Sequence, residues 1–109
     1  MPIGVEVVDR TLHALGDPTR RQVLELLRDG ELNVRELTDA LPVTQGAVSQ
    51  HLKVLREAEL VDVRPEGTRR LYAVNPDGLS PVRAWVDSFW DDALSAFARH
   101  AHRTDEDPT

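Results

Sequence analysis

At 109 residues and 40% hydrophobic side chains, the chain has the size of one small domain with a single core and is too short for two. It contains no cysteine, which excludes disulfides, thiolate metal ligands and a cysteine nucleophile and fits a reducing compartment. The net charge of −6 argues against nucleic acid, because phosphate is met by Lys and Arg, yet the charge is uneven: residues 1–43 carry five basic and eight acidic side chains, 44–74 five and four, 75–109 three and seven.

The middle segment is therefore the one part that is not acidic. No apolar run is long enough for a membrane span or a signal-peptide core, so a cytoplasmic protein is expected.

In chain order, Val5, Val8, Leu12 and Leu15 recur at spacings of three and four, which predicts a short amphipathic helix ending at Gly16. Asp17 and Pro18 then supply an N-cap and a first helical residue whose missing N–H costs nothing, and Val23, Leu26 and Leu27 give the buried face of a second helix that Gly30 stops. Asn33 with Glu36 forms a capping-box pattern before Val34, Leu37 and Leu41, and Pro42 ends this third helix. Thr44 caps a fourth, 44–58, after so short a connection that the pair reads as a helix-turn-helix.

From Leu60 the texture changes to β-branched and aromatic residues. VDVR and RRLYAV, separated by Pro65-Glu66-Gly67-Thr68, predict a hairpin over 61–74. Asn75-Pro76-Asp77-Gly78 is a turn cluster, and from Pro81 a last helix carries Val82, Trp85, Val86, Phe89, Trp90, Ala93, Leu94 and Phe97 as a wide apolar stripe. The expected fold class is mainly α with a small β-hairpin, a winged helix-turn-helix of about five helices plus one two-stranded wing. It forms one domain over 1–104, with a disordered acidic tail at 105–109.

On the fourth helix Val48, Leu52 and Leu55 fall within about a 60° arc, with Ala47, His51 and Ala58 on its shoulder. The other side holds Gln45, Gly46, Ser49, Gln50, Lys53 and Arg56. Gln can bond adenine at N6 and N7, Ser can donate or accept at any base edge, and Lys53 can pair with phosphate. A surface helix that happens to be amide-rich would look the same in isolation. The preceding turn and the arginines Arg64, Arg69 and Arg70 around the hairpin tip weigh against that reading, although those arginines could instead pair with Glu66 and Asp62. Arg20 and Arg21, opening the second helix, could face phosphate or bond Glu57 or Asp62; one is expected to be structural and the other a backbone contact.

Three motifs carry a family resemblance: Asp17-Pro18-Thr19-Arg20-Arg21, then Val48-Ser49-Gln50-His51-Leu52-Lys53-Val54-Leu55, then Glu66-Gly67-Thr68-Arg69-Arg70-Leu71-Tyr72. In this order and spacing the chain resembles the ArsR-type winged-helix transcriptional repressors from about residue 12 to 97. The resemblance implies a homodimer on an inverted-repeat operator, with half-sites about one helical turn or a multiple apart. It also implies a dimer interface on the first and last helices, here Val5, Val8, Leu12, Trp85, Phe89, Trp90 and Phe97. About half of the C-terminal stripe is expected to be core within the chain.

Metal-sensing relatives of this type carry Cys-x-Cys within E-L-C-x-C-x-L; this chain reads Glu31-Leu32-Asn33-Val34-Arg35-Glu36-Leu37. A second family site, Asp-x-His with His-x-x-Glu, would fall on Asp87, Phe89, His100 and Arg103, and keeps two of four ligands. His100 and His102 point to different sides of a helix, His51 is expected to pack at the edge of the core, and His13 has no visible partner. No metal or other cofactor is expected. With no G-x-S-x-G elbow, no His–carboxylate spacing and no phosphate-cradling glycine loop, neither is catalysis.

The sequence thus predicts a DNA-binding regulator with Gln45, Ser49 and Gln50 at bases, Thr44 and Lys53 on the backbone, and Arg69 and Arg70 in the wing. Its partners are operator DNA, a second copy and an unidentified small-molecule effector, with no membrane. The competing reading is a winged-helix module that binds protein instead of DNA.

Overall fold

A computed structural model describes residues 3–106, and the side chains of 5–101, as five helices and one hairpin. The elements are α1 (Ile3–Leu15), α2 (Pro18–Leu27), α3 (Val34–Ala40), α4 (Gln45–Glu57), β1 (Val61–Glu66), β2 (Arg69–Val74), a 3-10 turn (Pro76–Leu79) and α5 (Ser80–Glu106). The last helix enters the stretch 105–109 by two residues; 107–109 lie outside the described residues.

Local chemistry sets most boundaries. Asp17 accepts from the N–H groups of Thr19 and Arg20 at 2.7 and 3.2 Å, with Pro18 first in α2. Asn33 and Glu36 make the reciprocal pair of a capping box, at 2.8 and 2.9 Å. Asn75 accepts from the Asp77 N–H to start the 3-10 turn, so the cluster expected as a plain turn is one short helical loop leading into α5.

The core lies where α2, α3, α4 and the base of the hairpin meet. Val23, Leu27, Leu37, Val48, Leu52, Leu55, Leu60 and Val61 are buried, with Tyr72 of β2 closing one side. Each such side chain removed from water contributes about 1.5–3 kcal/mol. The predicted inner arc of α4 is the buried one, and His51 is half-buried at its edge.

On α1 the buried line differs from the expected one: Val8, Thr11 and Ala14 face inward, while Val5 and Leu12 are exposed. Thr11 can be buried because its hydroxyl donates to the Val7 carbonyl, 2.9 Å away, which an apolar pattern does not register.

The hairpin turn is shorter than expected. Pro65 and Glu66 belong to β1, opposite Arg70 and Arg69, which leaves Gly67 (φ 63°) and Thr68 as a two-residue turn of the type II′ pattern. β2 is flanked on its other side by an isolated bridge to Leu32, so β1 is the free edge, where a proline's missing N–H is tolerated.

α4 ends on a left-handed residue that is not glycine. Glu59 has φ 61°, its N–H reaches the Arg56 carbonyl, and the Leu60 N–H returns to Leu55 at 2.9 Å, the two bonds of a Schellman closure. Glu59→Gly should raise stability by roughly 1 kcal/mol, because only the exposed 3.7 Å ion pair with Arg10 is lost while the left-handed penalty disappears. Urea unfolding checks this; an unchanged or lower midpoint would count against strain at Glu59.

The molecule measures 73 × 29 × 20 Å, with a radius of gyration of 19.9 Å. A compact chain of this length would have about 13 Å. The excess is α5, whose 27 residues rise about 40 Å and pack within the chain on α1 and the 3-10 turn.

Candidate nucleic-acid interface

Thr44 caps α4 through Oγ1, which accepts from the Ala47 N–H at 3.1 Å, so its hydroxyl proton remains to be donated outward. The connection from α3 is four residues, Leu41 to Thr44. This brings the first turn of α4 to the surface with Gln45, Gly46, Ser49, Gln50 and Lys53 all exposed. Among the described residues the side chains of Gln45, Ser49, Gln50 and Lys53 have no hydrogen bond or ion pair, so their polar groups are satisfied by water and can be transferred to a ligand.

The wing stands beside that face. A groove lined by Ser49, Lys53, Arg56, Arg70 and one carboxylate, Glu57, with the buried Leu52 and Tyr72 beneath, joins α4 to β2. Arg70 also borders a second cleft, between the wing tip and α3, with Arg69 and Arg35 and with the carboxylates of Glu36 and Asp39. Both wing arginines are exposed and, among the described residues, unpaired. Arg35 was not singled out by sequence reading as part of this surface; its signal there was a single basic residue on an amphipathic helix, which has no positional meaning until the wing is folded beside it.

Arg64 behaves differently from its neighbours. Its Nε and Nη2 bind both carboxylate oxygens of Glu31 at 2.6 and 2.9 Å, and Nη2 also meets Glu66 at 3.0 Å. Asp62, named in sequence reading beside Glu66, is not among its partners. The Arg64 hydrogen bond holds the Glu31 carboxyl below its ordinary range, and the two carboxylates raise the guanidinium in turn.

Together with the Leu32–Tyr72 backbone pair, at 3.1 and 2.9 Å, this fork fastens the wing to the segment between α2 and α3. Because the folded Glu31 value is lowered, its contribution is present above the ordinary 4.5 and is lost as pH falls through the lowered value. The protection factor of the Tyr72 amide, its exchange rate relative to the unfolded chain at the same pH, should therefore fall selectively on acidification, and an Arg64→Gln variant should lack that response.

Neither Arg20 nor Arg21 pairs with Glu57 or Asp62. Arg20 donates to the Ala14 and His13 carbonyls at 2.7 and 3.1 Å, lies 3.9 Å from Asp17 and approaches His51 Nδ1 at 3.5 Å. Arg21 donates to the Leu15 carbonyl. Both thus satisfy open C-terminal carbonyls of α1, and Arg21 does so with Nη1 alone. The Arg20 and Thr19 N–H groups, with the nearby His51 and Arg20 charges, keep the Asp17 carboxyl below its usual range.

A second surface runs along the terminal helices. Trp85, Phe89, Trp90 and Phe97 are 44, 58, 65 and 71% exposed, so none of the four is core within the chain, against the expected half. Trp85 and Phe89 pack edge-to-face at 5.0 Å between centroids. Val5 and Leu12 of α1 are exposed as well, whereas Val8 is spent inside the protomer at 5%.

Among the described residues no three His, Cys, Asp or Glu come together as a metal site, and no helix is long and apolar enough to cross a membrane. Asp87 and His100 stand thirteen residues apart on one helix, about 20 Å along its axis. The side chains of His102 and Arg103 lie outside the described residues.

Comparison with known proteins agrees with this geometry. The family model described as bacterial regulatory protein, arsR family, matches residues 17–63. The chain is 52% identical over 91 residues to the HTH-type transcriptional regulator Rv2034 of Mycobacterium tuberculosis, covering 84% of this chain and 85% of that protein. It is 34% identical over 76 residues to the arsenical resistance operon repressor of Staphylococcus xylosus, covering 70 and 73%. The solution structure of the homodimeric winged helix-turn-helix DNA-binding domain Mb0332 of Mycobacterium bovis superposes with a TM-score of 0.66 at 30% identity, covering 84% of this chain and 85% of that one.

Proposed function

Since the chain belongs to the ArsR family of bacterial regulatory proteins, we propose that it is a sequence-specific DNA-binding transcriptional regulator, a homodimeric repressor on an inverted-repeat operator. The observation that carries this reading is the outer face of α4: amide, hydroxyl and ammonium groups held at the surface with no partner among the described residues, next to two wing arginines that are likewise unpaired there. Gln45, Ser49 and Gln50 meet base edges in the major groove. Thr44 and Lys53 hold the helix on the backbone, and Arg69 and Arg70 extend the contact to the flanking groove.

A partner protein in place of DNA would leave that pattern without a use, and the regulators and repressor among the relatives favour DNA. The apolar strip of α5 with Val5 and Leu12, exposed in the single chain, forms the contact between two copies; that two copies associate is supported by the homodimeric Mb0332 domain. The same reading places the protein's work in the cytoplasm and gives it no catalytic step. It includes no resident metal, because Asn33 and Arg35 replace a thiolate pair and Phe89 stands where a ligand would be needed.

The test is a pair of single variants measured on the upstream region of the protein's own gene and on random DNA. Gln50→Ala should lose roughly 1–3 kcal/mol on the operator alone, relaxing one base position. Lys53→Ala should weaken both DNAs alike and lower the slope of log affinity against log salt by about 1. Equal losses on both DNAs for the Gln50 variant would remove base readout from the reading.

A further inference from the structure

Away from α4 and from the apolar strip of α5, a cleft of about 740 Å³ opens between α2 and the end of the wing. Its floor and walls are apolar: Leu15, Leu24 and Leu27 on one side, Val74, Pro76 and Leu79 on the other. The size falls in the range of small-molecule sites, which combine an apolar lining with a few placed polar groups.

The charges at its rim decide what it would accept. Arg28 pairs with Glu25 at 2.6 Å, and Glu31 is held in the two-bond fork by Arg64, so these carboxylates are already neutralised. Arg21 remains. One Nη1 proton goes to the Leu15 carbonyl, and among the described residues it has no carboxylate partner. Its Nε–H and Nη2 edge, the edge that accepts a carboxylate with two parallel bonds, is therefore uncommitted.

We infer that this cleft binds a medium-chain monocarboxylate, with the carboxylate on Arg21 and the alkyl chain laid across Leu24, Val74 and Leu79. A cation is disfavoured at the same place by Arg21, and a neutral amphiphile leaves the guanidinium edge unused. A bound chain would touch α2 and the 3-10 turn together, the turn through which the wing continues into α5.

The experiment is calorimetric titration of the full chain, without DNA, so its outcome is independent of operator binding. Octanoate, octylammonium and 1-octanol supply one tail with three head groups. Octanoate is expected to saturate one site per chain at or below about 1 mM and to bind at least tenfold more tightly than the other two. Arg21→Gln should weaken octanoate about tenfold while leaving 1-octanol unchanged.

Because Arg21 also holds α1, a second variant leaves it in place: Leu24→Trp fills the cleft and should abolish octanoate binding with helicity intact. Octylammonium binding as well as octanoate, no saturation by octanoate, or full octanoate affinity in Leu24→Trp would each overturn the assignment.

Discussion

A Trp90→Asp, Phe97→Asp double variant is expected to sediment as a monomer and to lose operator affinity by about 10²–10⁴-fold, while the winged core keeps its helicity. Both rings are exposed in the single chain, so two carboxylates there disturb no packing within the protomer. In a face-to-face assembly of two copies they become charges buried against apolar surface, which is strongly unfavourable without partners. The loss on DNA follows from geometry alone: two linked α4 helices bind a two-part site with a high effective concentration, and separate protomers do not. Analytical ultracentrifugation with fluorescence anisotropy on the same samples checks both halves. A double variant that remains dimeric would exclude the α5 strip as the contact.

The second large effect is at a backbone crossing. A Cβ added to Gly78 would overlap the Glu59 carbonyl oxygen and lie 2.8 Å from its carbon, far inside contact distance. Neither side can yield by rotating a side chain, because both are main chain. Glu59 is already held by the closure of α4, and the Gly78 N–H is bonded to the Asn75 carbonyl at 3.0 Å. Gly78→Ala should cost about 3 kcal/mol, at the upper end of ordinary overpacking, and should lower the thermal midpoint by ten degrees or more for a domain of this size. Gly30→Ala gives a contrast: its added Cβ meets nothing within 4 Å and only its backbone angle, φ 148°, resists substitution. If both variants melted alike, the close approach of the 3-10 turn to α4 would not be what makes Gly78 necessary.

What could be read in advance follows from the range of the interactions. The caps at Asp17, Asn33 and Thr44 and the inner arc of α4 depend on residues three or four apart, and the structure contains them as expected. The fork between Arg64 and Glu31 joins residues 33 apart and has no signature in either neighbourhood. Arg20 and Arg21 choose main-chain carbonyls, acceptors that every residue carries, so no side-chain pattern announces them.

The split of the C-terminal stripe between core and surface was misjudged for a different reason. Apolar periodicity shows that a face avoids water but not whether its cover comes from the same chain. For the candidate interface, the outer face of α4 stood out in the sequence because amide and hydroxyl groups are unusual on a solvated helix face. Arg35 did not, because a lone charge on a helix has no positional signal until the wing is folded beside it.

Arg20 has one more consequence. Its side chain is 13% exposed, and its guanidinium reaches three helices at once: the last carbonyls of α1, the cap of its own α2 and the His51 ring of α4. If α1 belongs to the contact between copies, the distance between the two reading helices is settled when the dimer forms, before DNA arrives. Such a protein behaves as a caliper with a locked jaw. Inserting or deleting base pairs between the half-sites should then reduce affinity in steps that track helical phase, with no compensating adjustment by the protein.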